Sequence, residues 1–142
     1  MPQSEIDRLC EDARSARSAI WWQRYDRWLP ASHVSYLSYE NDASRAWSVG
    51  PLVIPGLLQT AEYTRALFGP ENLQDPDRVD AWVSVRTQRQ QRLTEQPSPL
   101  ELTAFVGEAA LRSEYGGRAV LHAQLLHLRE LADLAKIGRA HV

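Results

Sequence analysis

The chain has 142 residues, a formal charge of −2 and a hydrophobic share of 44%, enough for one domain with a core and little for a second. It lacks the basic stripe of a free-standing DNA binder and the ~18 unbroken apolar residues of a membrane span. Its charged start, MPQSEIDRLCEDARSARS, has no apolar centre to act as a secretion signal.

Cys10 is the lone cysteine. That excludes an internal disulfide, fits a reducing cytoplasm and reads as a small apolar filler. Fifteen of the sixteen basic residues are Arg, Lys136 being the exception. With abundant Ala and scarce Asn and Ile, this points to a high-GC genome.

Residues 5–29 read as a helix, with Ser4 as its cap and Glu5 and Asp7 at the positive end of its dipole. Ile6, Leu9, Ala13, Ala16 and Ile20 form its apolar stripe, and Pro30 ends it. Trp21, Trp22, Tyr25 and Trp28 are read as core, with ligand stacking as the alternative. A shorter helix is expected from about Ser32 to Arg45, then an extended stretch at about 47–54.

Pro55 and Gly56 follow, and make a sharp turn: Pro55 fixes φ and Gly56 permits an unusual one. Leu57 and Leu58 gain a defined direction there, and Gln59 can bond the exposed peptide groups of the turn. This corner either plugs the core or greets a partner.

The next helix is capped by Thr60, turns Tyr63, Ala66 and Leu67 inward, and stops at Gly69-Pro70. Another begins with Asp75 as cap and Pro76 at its first position, burying Val79, Val83 and Leu93. LELTAFV places Leu100, Leu102, Ala104 and Val106 on one face of the one clear strand, about 100–106. A strand needs a ladder partner; the candidates are the 47–54 stretch, another subunit, or chain beyond this one. Gly117 leads into a final helix with a stripe of Leu121, Leu125, Leu128 and Ala132, widened by Leu131 and Leu134. The fold class expected is α+β, predominantly helical, with five or six helices, and an incomplete domain.

Arg86, Arg89 and Arg92 recur at i, i+3 and i+6, interleaved with Gln88, Gln90 and Gln91. They read either as an anion grip, since Arg offers a planar fork of donors, or as a solvated face. His33, His122, His127 and His141 lack metal-ligand spacing, so no metal and no cofactor is expected. Glu108, directly after the strand, could act as an acid or base; a cap or a pair with an Arg is the plainer role.

VIPGLLQTAEYTRAL, residues 53–67, resembles the signature of a regulatory domain that follows a Cro/cI-type (Xre-like) helix-turn-helix in many actinobacterial, antitoxin-like transcription regulators. WWQRYDRWLP, YLSYENDASRAWSV, VSVRTQRQQRL, FVGEAALRSEYGG and LHAQLLHLRELA resemble further segments of that domain, in order. Tyr39 stands where the family usually has Leu. The resemblance covers residues 18–135 and makes 1–17 a helical lead-in, too short for the helix-turn-helix itself; in the family the domain runs on into further strands. It implies a non-catalytic, cytoplasmic module that senses a ligand or partner.

The residues expected to serve it are Gly56, Leu57, Leu58, Gln59, Tyr63, Arg86, Arg89, Gln90 and Glu108. DNA would be met only through a helix-turn-helix outside this chain. The expected partner is a small protein encoded by a neighbouring gene, or a second copy; no membrane is involved. The competing readings are a stand-alone helical interaction module and a hydrolase using Glu108.

KIGRAHV, residues 136–142, breaks the preceding periodicity. IGRAHV is also what one frame of a common sequencing adapter encodes. Residues 137–142 are therefore expected to be adapter read-through, and Lys136 unreliable.

Overall fold

The computed structural model describes residues 5–6, 20–69, 75–95 and 97–133, and the backbone alone of 137–140. The chain divides into two units, Met1–Asp42 and Ala43–Val142.

In the first unit, residues 21–29 are not the expected α-helix. Trp21–Tyr25 is a 3-10 helix, and the turn that follows keeps the same i→i−3 bonding, with Trp28 N donating to Tyr25 O and Leu29 N to Asp26 O. Large aromatics lose rotamer freedom against a preceding α-turn, and Pro30 biases Leu29 away from helical geometry. The tight turn lets the Trp21 and Trp22 rings meet edge to face at 5.5 Å. Only Trp22 of that pair is buried. Helix α1, Ala31–Asp42, follows. It buries Leu37 and Glu40, and Tyr36 Oη donates to Glu40 Oε2 at 2.7 Å. Of the rest of the expected 5–29 helix, Ile20 is an exposed turn residue, and residues 7–19 lie outside the described residues.

The second unit is built on a parallel sheet. Strand β1, Arg45–Gly50, pairs with β2, Glu101–Val106, from Arg45↔Glu101 to Gly50↔Val106. The 47–54 stretch is thus the partner of the 100–106 strand, although its ladder starts earlier and ends at Gly50. A third strand, β3 (Ile137–Ala140), pairs parallel on the other side of β2. Of the three candidates for the partner of β2, the one within the chain forms the ladder with β1. Whether the codons for 137–142 belong to the gene is a separate question, answered at the locus.

Parallel neighbours need long crossovers, and these hold the helices. Between β1 and β2 lie α2 (Ala61–Leu67) and α3 (Pro76–Gln90). Between β2 and β3 lie α4 (Glu108–Arg112) and α5 (Arg118–Ala132). The caps form as the sequence dictates: Thr60 accepts from Tyr63 N, and Asp75 accepts from Arg78 N with Pro76 opening α3.

One face of the sheet meets the core. Leu102 and Ala104 of β2 join Ile54, Leu57, Leu58, Tyr63, Leu93, Leu100 and Ala110 in a single buried cluster. On the opposite face Trp47 and Val49 stand 69% and 71% exposed, beside Thr103 and Phe105 in register. Where the strand ends converge the backbones touch. Gly107 N donates to Gly50 O at 2.9 Å, and a Cβ on Gly107 would lie 2.4 Å from Pro51 O. No larger residue fits there.

The leucine stripe expected on α5 is not its most buried line. Leu125 is 38% exposed, while Gln124 is fully enclosed. The reason is polar and lies at the corner after β1.

Candidate functional site

Residues 54–60 turn the chain from the end of β1 into α2. Pro55 has φ −54° and ψ 142°, and Gly56–Leu58 form one 3-10 turn, closed by Leu58 N donating to Pro55 O at 2.8 Å. Positive φ occurs at Gly69, Gly116 and Gly117, not at Gly56. The unusual torsion expected of Gly56 is therefore absent, and its glycine answers a different need, described below. Leu57 and Leu58 are 2% and 3% exposed. The corner plugs the core and does not offer its leucines to a partner.

Such a turn leaves peptide groups that a helix or ladder would have satisfied. Side chains from four elements meet them. Gln59 Nε2 donates to Ile54 O at 2.6 Å, and its Oε1 accepts from Thr64 Oγ1 at 3.0 Å. Ile54 N donates to Tyr63 Oη at 3.4 Å. Gln90 Nε2, from α3, donates to Gln59 O at 2.6 Å and Gly56 O at 3.2 Å. Gln124, from α5, accepts from Thr60 N and donates to Leu58 O, each at 2.7 Å. An amide carries donors and an acceptor without charge, so it can be buried where an ion could not. Each buried group left unbonded would cost about 1–3 kcal/mol, which is what fixes these three glutamines in place.

Gln90 and Gln59 were expected at this site; Gln124 and Thr64 were not. Gln124 falls three residues after Leu121 and four before Leu128, on the line that should be apolar. A lone amide there was the readable signal.

The arginines of α3 divide. Arg92 is a staple: Nη2 donates to Ala43 O at 3.0 Å, and Nη1 to Ser98 O at 3.2 Å and Glu95 Oε2 at 3.0 Å. Arg89 is 7% exposed and Arg86 is half-buried, so the solvated-face reading fails for both. Their heads face the corner. A Cβ on Gly56 would lie 3.2 Å from Arg89 Nη1 and 3.5 Å from Arg86 Nε; close approach, rather than torsion, accounts for the glycine. Arg86 sits over the Trp82 ring, 5.3 Å from its centroid. Its Nε and Nη1 are buried with no hydrogen-bond partner. Burial, and secondarily the charge of Arg89, push the Arg86 guanidinium down to about 10.

Tyr63 is fully buried, and burial raises its phenol above the ordinary range. It packs edge to face on Tyr115 at 5.8 Å. Glu108 opens α4 and pairs with Arg112 one turn on, both side chains largely exposed. Its described pairing is therefore to Arg112 and not to the corner. Gly56, Leu57, Leu58, Gln59, Tyr63, Arg86, Arg89 and Gln90 come together.

Among the described residues no group of three or more His, Cys, Asp or Glu could hold a metal. No described helix is long and apolar enough to cross a membrane. The first unit carries a separate open cleft of about 500 Å³, whose lining includes Trp22, Asp26, Ser35, Ser38 and Tyr39. No curated protein and no solved structure matches the chain. A family match covers residues 34–138, from α1 through the corner and the arginine helix to the start of β3. The chain therefore belongs to the family described as a domain of unknown function, DUF5753.

Proposed function

We propose that this domain is the non-catalytic sensing part of a helix-turn-helix transcription regulator of the actinobacterial, antitoxin-like kind. It responds to a small ligand or to a small protein encoded by a neighbouring gene, and DNA is met by a head outside these residues. The observation that carries the reading is the corner. Its backbone is bonded to side chains of α2, α3 and α5 at once, through Tyr63, Gln90 and Gln124. A ligand that shifts one of these helices must break or remake bonds to the others. That is the two-state coupling regulation requires, provided the ligand contacts the states differently.

The exposed Glu108–Arg112 pair supports a surface role for Glu108 over acid–base work. The reading is tested by mixing the purified chain with the neighbouring gene's product and with operator DNA. Binding of the small protein by calorimetry, and no sequence-specific gel shift by the chain alone, is the expected result. A salt-resistant, sequence-dependent shift by the chain itself, or hydrolytic turnover abolished by Glu108→Gln, would overturn it.

A further inference from the structure

We propose that the outer edge of β1 pairs with the same edge of a second copy of this chain, antiparallel and with Trp47 on the two-fold axis. The pairing does not depend on the sensing role above.

β1 stands at one end of the sheet order, with β2 on one side and no described strand on the other. Alternate residues of a strand send their peptide groups to opposite sides. Glu101 N donates to Ser44 O at 3.0 Å and Gly107 N to Gly50 O at 2.9 Å, so the even-numbered residues face β2. Arg45, Trp47 and Val49 therefore turn their N–H and C=O groups outward. The side chains of Trp47 and Val49 are also 69% and 71% exposed. Edge strands are usually blunted by Lys, Pro, a bulge or an inward charge. Arg45–Gly50 holds neither Lys nor Pro and keeps an unbroken register with β2. Its one charge, Arg45, is tied to Glu101 at 3.1 Å. The edge is open to a further strand.

The strand's own sequence fits that edge. A two-fold axis makes the strands antiparallel and the contact isologous. Only outward residues can bond one another, so odd-numbered residues must stand opposite odd-numbered ones. With Trp47 opposite the partner's Trp47, Arg45 meets the partner's Val49, and all three donate and accept. A shift of two residues one way sets Arg45 against Pro51, which has no N–H. A shift the other way sets Val49 against Ala43, whose carbonyl already accepts from Arg92 Nη2. In the remaining register the Trp47 rings of both copies shield each other, Val49 lies beside the partner's Arg45, and no like charges are opposed. So short an edge buries less than the ~1,200 Å² of a stable interface, and the dimer is reversible.

Sedimentation equilibrium of the full chain from about 10 μM to about 1 mM spans the affinity of such a contact. The mass should rise from that of one chain toward that of two. Val49→Pro removes an outward N–H and spares the β1–β2 ladder, as proline does on an edge strand. It should weaken association roughly tenfold or more. Cross-linking on a Cys10→Ser background reads the register. Trp47→Cys brings the two Cα atoms to ~5.5 Å, within disulfide reach. Val49→Cys leaves them ~13 Å or more apart and should not link. Should Val49→Pro fail to fold, hydrogen exchange in the wild-type chain decides: the Trp47 and Val49 amides should slow as concentration rises. A single-chain mass at about 1 mM, undiminished association in Val49→Pro, equal linking through Val49→Cys and Trp47→Cys, or exchange of those amides independent of concentration overturns the proposal.

Discussion

Gln90 and Arg86 stand one helical turn apart on α3 and reach the same corner, yet they end in opposite states. Gln90 Nε2 serves two carbonyls; Arg86 Nε and Nη1 serve none. The neutral amide closes one flank of the turn and is used up in doing so. The cation on the other flank is held in place by packing and keeps its bonding capacity. Within a single turn of helix, one residue completes the fold and its neighbour stays available for something else.

The comparison can be broken by substitution, starting from what both residues lean on. Leu58→Asp should have the largest effect, because Leu58 is 3% exposed and an unpaired buried charge costs roughly 3–5 kcal/mol. An unchanged thermal midpoint would show that the corner is not core in solution. Gln124→Ala removes the partner of Leu58 O and of Thr60 N; two orphaned groups should lower stability by about 2–4 kcal/mol in urea titration. Gln90→Ala, in a half-buried position, should lose about 1–2 kcal/mol.

Arg86→Met should go the other way. Removing a half-buried charge that has no ionic partner among the described residues is expected to stabilise the chain by about 1 kcal/mol. The pH dependence follows from the guanidinium, lowered from the ordinary arginine range to about 10. Between about 10 and that ordinary range the unfolded state binds more protons, so wild-type stability gains from Arg86 as pH rises. The penalty is fully present below about 10 and fades above it, and the advantage of Arg86→Met should shrink over that window. Comparing the two proteins cancels the buried Tyr63, whose raised pKa favours the folded state less as pH climbs through the phenol range. The smallest effect belongs to Gly56→Ala. Its Cβ would come 3.2 Å from Arg89 Nη1, the far end of a long side chain, and the reduced freedom of the unfolded chain, worth about 0.4–1 kcal/mol, offsets that crowding.

The elements that sequence reading placed correctly are those whose causes are local. Thr60 and Asp75 cap the next turn of chain, and the alternation of Leu100, Leu102 and Ala104 selects the buried face of β2. The pairing of β1 with β2 was only one of three open choices, because register across more than fifty residues is set by packing and not by local pattern. Gln124 was missed because periodicity rules rank an amide below leucine, and they cannot see the carbonyl at Leu58 that reverses the ranking. Residues 21–25 were read as α-helix from spacing, while their tight 3-10 turn reflects crowding among adjacent rings. The burial of Arg86 and Arg89 was hidden for a related reason. Charge suggests a wet surface, and only the assembled corner shows what the guanidinium heads face.

The parallel pairing of β1 and β2 also sets a schedule. Arg45 and Glu101, joined by an ion pair at 3.1 Å, are 56 residues apart in the chain. At about 5–20 residues per second, roughly 3–11 s of synthesis separate them. Until Glu101–Val106 has left the ribosome, Arg45–Gly50 has no β2 to pair with, so the edge it later gives to β2 is also open. A strand in that condition is a template for other nascent chains. The interval in which this protein is most open to association thus falls during translation, and its length depends on how fast the intervening helices are made.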